Sequence, residues 1–149
     1  MTTLKVGDKA PGFSVNNQHG ETVSLDDFKG KKVVLFFYPK ASTPGCTAEA
    51  CNLRDNYSSF KDKGYEIIGV SADSEKRQLN FSNKQELPYS LLADENKEVI
   101  MAYGVWGPKK FMGKEYEGIH RTTFVIDENG VISDVISKVK TKDHAAQIL

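Results

Sequence analysis

Cysteine, histidine and tryptophan are scarce in this chain of 149 residues, which holds two, three and one of them. The histidines, His19, His120 and His144, form no pair at ligand spacing, and there is no Cys-x-x-Cys, so a zinc site has no recognisable ligand set and no metal or other cofactor is expected. No apolar run approaches the roughly 18 residues of a membrane span. Met1-Thr2-Thr3-Leu4-Lys5 lacks the charged-then-apolar layout of a secretory signal, so a cytoplasmic setting is expected. Charge of one sign is missing too: 20 basic residues balance 20 acidic ones, and no long basic block occurs. Nucleic acid and membrane are therefore not expected as partners. The pairs Lys31-Lys32 and Lys109-Lys110 read as solvated surface. Repeats, low-complexity tracts and linkers are absent as well. With 39% hydrophobic residues, residues 1–149 are expected to form one domain with its own core.

The order of elements reads as a hairpin followed by β-α-β-α-β-α-β-β-α. Phe13 to Val15 and Thr22 to Val23 flank Asn16-Asn17-Gln18-His19-Gly20, a hairpin signal, and Ser24 to Phe28 is a helical turn closed by Gly30. Val33-Val34-Leu35-Phe36-Phe37-Tyr38 is an unbroken run of β-formers, as in a central strand buried on both faces. A helix is expected from about Thr43 to Lys61, and Glu66 to Ser71 is a second buried strand. A helix over Ser74 to Asn83, with Ser74 as N-cap, precedes a short strand, Ser90 to Ala93. Asn96 to Tyr103 is a short helix ended by Gly104. The stretch Gly104 to Gly113 reads as a loop. Thr122 to Ile126 and Val131 to Ile136 flank an Asn129-Gly130 turn, and a last helix starts at Asp143. The pattern predicts an α/β domain: a mixed central β-sheet flanked by helices, with an N-terminal β-hairpin.

Both cysteines fall in one short stretch, Tyr38-Pro39-Lys40-Ala41-Ser42-Thr43-Pro44-Gly45-Cys46-Thr47-Ala48-Glu49-Ala50-Cys51, between a strand and a helix. Thr43 is a good N-cap and Pro44 suits the first helical position, so Cys46 is the third residue of the first turn. Free backbone N–H groups and the positive end of the helix dipole favour an anionic sulfur there. Cys51 lies deeper in the same helix. Five residues on one helix separate Cα atoms by roughly 8.6 Å, whereas a disulfide needs about 4.4–6.8 Å. A Cys46–Cys51 bond therefore requires local unwinding, which Pro44 and Gly45 ease. From the residues alone three readings stand: a thiol enzyme, a disulfide switch or exchanger, and a binding module with two inert, buried cysteines.

The segment Pro39 to Cys46 matches the peroxiredoxin motif Pro-x-x-x-Thr/Ser-x-x-Cys, and Phe37 to Cys51 closely resembles the bacterioferritin comigratory protein, or peroxiredoxin Q, subfamily. Val6 to Phe13, Leu91 to Asp94, Tyr103 to Gly107 and Arg121 to Asp127 are similar to further landmarks of that family. Ala41-Ser42 departs from the usual residues, at variable positions of the motif. The resemblance implies a thioredoxin-like fold and a thiol peroxidase acting on hydrogen peroxide and organic hydroperoxides. It also implies roles: Cys46 as the peroxidatic nucleophile, Cys51 as the resolving cysteine, Thr43 as the motif hydroxyl, Pro39 as the shielding proline and Arg121 as the arginine that completes the site. Thioredoxin or a similar dithiol is the implied reductant, and a monomer is implied because an intramolecular disulfide needs no second chain.

Other residues carry two readings. Glu49, one turn on from Cys46, either lies on a solvated helix face, the favoured reading, or orients Arg121 or acts in proton traffic. Trp106 and Phe111 either cap the core, which is favoured, or line the rim of the site. Tyr38 reads as packing at the edge of the core, and His120 has no assigned role.

Overall fold

In a computed structural model, which describes residues 2–149, the apolar run becomes β3 (Lys32–Phe37), the middle strand of the main sheet. Before it come β1 (Ser14–Asn16), β2 (Thr22–Ser24) and a 3-10 turn (Leu25–Phe28). After it come α1 (Pro44–Asp55), α2 (Tyr57–Asp62), β4 (Tyr65–Ser71), α3 (Glu75–Gln85), β5 (Ser90–Ala93) and α4 (Glu98–Ala102). The chain then forms β6 (Trp106–Phe111), β7 (Lys114–Ile119), β8 (Thr122–Ile126), β9 (Ile132–Ile136) and α5 (His144–Ile148).

The five-stranded sheet has the order β5-β4-β3-β8-β9. β3, β4 and β5 are parallel, while β8 and β9 run antiparallel to their neighbours. This is the expected mixed sheet, with β1 and β2 as the N-terminal hairpin. Alternation along β3 builds a core on each face. Val33, Leu35 and Phe37 pack with Ile68, Val70, Tyr103 and Phe124, whereas Val34, Phe36 and Tyr38 pack with Leu53, Phe60, Ile67 and Phe81. Each such side chain, fully buried, contributes about 1.5–3 kcal/mol of transfer free energy. Among the described residues no helix is long and apolar enough to cross a membrane.

Two expected elements differ from the structure. The helix foreseen over 43–61 is two helices, broken at Asn56, whose φ of −109° and ψ of 12° leave the helical region. Asn56 Nδ2 donates back to the Asn52 carbonyl at 2.8 Å, a local bond that competes with continuing the helix. The stretch read as a loop is a hairpin, β6 paired with β7 from Trp106↔Ile119 to Phe111↔Lys114. Its Gly107 and Pro108 hid the strand, because both residues are poor strand formers. Pro108 is tolerated since this two-stranded ribbon leaves one side of each strand unpaired. Phe111 is 65% exposed, so its core reading is corrected, whereas half-buried Trp106 packs against the core as read.

The topology gathers the cysteine turn and Arg121 at one end of the sheet. β8 runs against β3 with Thr122 opposite Phe37, so the residue that enters β8 lies beside the residues that leave β3. The C-terminal ends of parallel strands are the usual place for sites in α/β sheets.

Candidate active site

The turn between β3 and α1 is tied to β4 and α3. Ala41 N–H donates to Asp73 Oδ2 at 2.7 Å, and Ser71 Oγ donates to the same oxygen at 2.7 Å. Buried Tyr38 donates its hydroxyl to Gln78 Oε1, and Gln78 Nε2 donates to Ser71 Oγ and the Leu92 carbonyl. Ser42 takes a positive φ of 66°, a conformation disfavoured for a residue with a Cβ, and the Asp73 anchor on the neighbouring peptide helps hold it. Pro39 is half-buried at the exit of β3.

α1 starts as the sequence predicts, with Pro44 first and Cys46 third, and its first intrahelical bond is Thr47 N–H to the Thr43 carbonyl at 2.8 Å. The N–H groups of Gly45 and Cys46 precede that bond and have no intrahelical acceptor. Thr43 has the extended backbone of an N-cap, but its hydroxyl does not cap the helix. It donates to the Lys40 carbonyl at 2.8 Å, which leaves its lone pairs as acceptors.

Cys46 is 1% exposed. Arg121 donates through Nη2 to Cys46 Sγ at 3.3 Å and through Nη1 to Glu49 Oε1 at 2.6 Å. Burial works against the guanidinium charge, yet Cys46 and Glu49 beside it outweigh that and hold its pKa above the ordinary range. Glu49 is 0% exposed, which corrects its reading as a solvated face. Burial pushes its carboxyl up to about 7, against the pull of Arg121. Lys109, on β6, is lowered by burial and by the Arg121 charge, and donates to the Ile119 carbonyl. His120 Nε2 lies 3.0 Å from the Pro108 carbonyl and bridges to the hairpin.

Cys51 is apart from this cluster. It is half-buried, and its Sγ donates to Gln85 Oε1 of α3 at 3.4 Å. Both cysteines are free thiols. On an intact α1 their Cα atoms stand roughly 8.6 Å apart, so the structure brings Cys46 and Arg121 together, with Thr43 at the N-cap of the same turn, and leaves Cys51 outside.

Sequence reasoning passed over His144. This α5 histidine is fully buried, with Nε2 2.7 Å from Thr123 Oγ1 and 3.5 Å from Glu49 Oε2. Burial lowers its pKa, the Gln147 hydrogen bond works the other way, and Arg121 adds to the lowering. A lone histidine near the end of a chain carries no local signal of that position.

Comparison with known proteins agrees with this geometry. The AhpC/TSA family model matches residues 6–135. The chain is 49% identical over 149 residues to the putative peroxiredoxin bcp of Haemophilus influenzae, covering 100% of this chain and 96% of that protein. It is 48% identical to peroxiredoxin Bcp of Escherichia coli, with the same coverage. Among solved structures, peroxidoxin BcpB of Mycobacterium tuberculosis superposes with a TM-score of 0.85 at 36% identity, over 97% of this chain and 93% of that one. The Xanthomonas campestris bacterioferritin comigratory protein, whose structures concern alkyl peroxide reduction, gives 0.87 at 32% identity, over 99% and 94%. Near-half identity from end to end, on a shared fold, leaves no room for another assignment: the chain belongs to the AhpC/TSA family and, within it, to the Bcp and peroxiredoxin Q group of peroxiredoxins.

Proposed function

We propose that this thiol-dependent peroxidase works through Cys46 as nucleophile and Cys51 as resolving thiol, within one chain. The observation that carries the reading is Arg121 Nη2 at 3.3 Å from the buried Cys46 sulfur, at the first turn of α1. A thiolate there attacks one peroxide oxygen, the O–O bond breaks, and the leaving alkoxide or hydroxide takes a proton. Negative charge grows on that leaving oxygen, and the Arg121 guanidinium with the free N–H groups of Gly45 and Cys46 is the fixed set of donors for it. Thr43, its own proton given to Lys40, accepts from the peroxide hydroxyl. Pro39 has no N–H to compete and shields the sulfur from water.

The product on Cys46 is a sulfenic acid. Cys51 condenses with it, releasing water and forming the Cys46–Cys51 disulfide after the first turns of α1 unwind. Thioredoxin or a similar dithiol then returns both thiols by exchange and is itself oxidised. The cycle needs one chain only, so we assign a monomer acting as a single domain in the cytoplasm on hydrogen peroxide and organic hydroperoxides. A disulfide exchanger needs neither the Thr43 hydroxyl nor Arg121.

The test is a thiol count on the reduced protein after one equivalent of hydrogen peroxide. Both free thiols should vanish rapidly without a covalent dimer, and Cys51→Ser should stop at a trappable sulfenic acid. Loss at the rate of an ordinary thiol, or a dimer, overturns the assignment.

A further inference from the structure

Behind Arg121 lies a buried acid–base pair that the peroxide chemistry above leaves unused. The orientation of Gln147 is set independently of the histidine, because its Nε2 donates to the Lys138 carbonyl at 3.0 Å and its Oε1 accepts from Lys140 N–H at 2.9 Å. That Oε1 faces His144 Nδ1 at 2.7 Å, so Nδ1 carries a proton. In the neutral ring Nε2 is then an acceptor, and Thr123 Oγ at 2.7 Å is its donor. Glu49 Oε2 sits 3.5 Å from the same nitrogen, buried and without a hydrogen bond. The ring's single lone pair on that nitrogen is taken by the Thr123 hydroxyl, so the buried Oε2 faces an acceptor and has no donor of its own, which is costly unless a proton is added to the pair. A proton on either atom removes the conflict. The carboxylic acid donates to Nε2 with the Thr123 hydroxyl turned away, or the imidazolium donates toward Oε2 and Thr123 Oγ1.

We propose that Glu49 and His144 hold one proton in common and that His144 is thereby a positioning residue for the thiol chemistry, leaving the Arg121 charge to the Cys46 sulfur. The guanidinium lies between two anion-forming groups, Glu49 at 2.6 Å and Cys46 at 3.3 Å. With one proton the Glu49–His144 pair is neutral overall, and the cation serves the sulfur. Without it the carboxylate competes for the same charge.

Burial acts on the two partners in opposite senses. It raises Glu49 to about 7 and lowers His144, which reverses the ordinary order of their proton affinities and makes the carboxyl a holder of the common proton. Of the other titratable groups, Arg121 at the entry to β8 and Tyr89 before β5 face the pair, while Lys109 on β6 and Tyr38 after β3 face Cys46 on α1. Tyr38 and Tyr89 stay protonated through neutrality because burial raises both, and Lys109 is lowered by burial and by Arg121.

The proposal rests on Cys46 as nucleophile only for its second test. The first is NMR of the reduced, unmodified protein from pH 5 to 9, following the imidazole nitrogens of His144 and the carboxyl carbon of Glu49. Both should titrate with common midpoints, and Glu49→Gln should move the His144 midpoint. A Glu49 carboxyl ionised across the whole range, beside a neutral His144 indifferent to Glu49→Gln, overturns the proposal whatever the enzyme activity. The second is the alkylation rate of Cys46 at pH 7 in the Cys51→Ser background. His144→Gln should slow it about threefold, since a carboxylate then draws on Arg121. In the Glu49→Gln background the same change should add nothing. A purely structural histidine would slow the reaction equally in both backgrounds, and that result also overturns the proposal.

Discussion

Gly45 shows how one methyl group separates stability from chemistry. It has ordinary helical backbone, so alanine is compatible with the fold and is a better helix former by about 0.5–1 kcal/mol. A Cβ there, however, would stand 3.3 Å from Arg121 Nη2, tighter than ordinary contact, and the guanidinium is held on its other side by Glu49. Gly45→Ala should therefore keep or raise the urea midpoint while lowering the rate of peroxide reduction about tenfold, since a small misplacement of a charged donor is enough. Stopped-flow kinetics beside equilibrium unfolding checks this, and an unchanged rate would show that Arg121 has room to yield. Position was legible in the sequence for Cys46, because Thr43 and Pro44 mark the helix start. It was not legible for Glu49, whose local pattern suits a solvent face equally well.

In the proposed cycle α1 is both a site and a hinge. Its far side is pinned, since Tyr89 donates its hydroxyl to the Ala50 carbonyl at 2.6 Å and Arg54 Nη1 donates to the Gln85 carbonyl at 2.6 Å. The unwinding that brings Cys51 to Cys46 has to release part of this anchorage. Tyr89→Phe removes a buried hydrogen bond worth about 1 kcal/mol, and the disulfide should then form from the sulfenic acid about fivefold faster. Acid-quenched mass spectrometry follows the step, and equal rates would place the hinge before Ala50. Element types came through well from pattern: the central strand, the Ser74-capped helix, whose Ser74 Oγ accepts from Arg77 N–H, and the Asn129-Gly130 hairpin all stand as read. The β6–β7 hairpin did not, because glycine and proline mask a ribbon that pairs only with itself.

The buried pair also ties the fold to pH. Glu49 ordinarily ionises near 4.5 and in the fold near about 7, so between those values the unfolded chain has released a proton that the fold still holds. Its contribution to stability therefore falls as pH rises through that window and is flat above it. His144, lowered below its ordinary 6.5, acts oppositely, costing stability as pH falls through that ordinary value. Glu49→Gln removes the first slope and leaves His144, with its midpoint moved, as the one member of the pair that still titrates. The variant should gain about 2 kcal/mol more over the parent protein at pH 8 than at pH 5, read from urea unfolding at both. An equal difference at the two values would mean that Glu49 is already ionised at pH 5.

Local order settled much here in advance. The period of β3, the turn chemistry around Pro44 and the eight-residue motif are short-range features, and short-range features are written in neighbouring residues. The chain order alone thus determined an α/β fold with a helix-start thiol, and the helical rise that keeps Cys51 away from it. The long-range contacts followed different rules. Arg121 reaches Cys46 because β8 pairs antiparallel with β3 in the register Phe37↔Thr122, and His144 reaches Glu49 because α5 packs against α1. Asn52 fastens that packing, its Oδ1 accepting from Ala145 N–H and its Nδ2 donating to the Lys142 carbonyl. Neither encounter leaves a trace in the spacing of residues. Both depend on which strands pair and which faces are buried, and burial is what turns a glutamate and a histidine, unremarkable in water, into a proton-sharing pair.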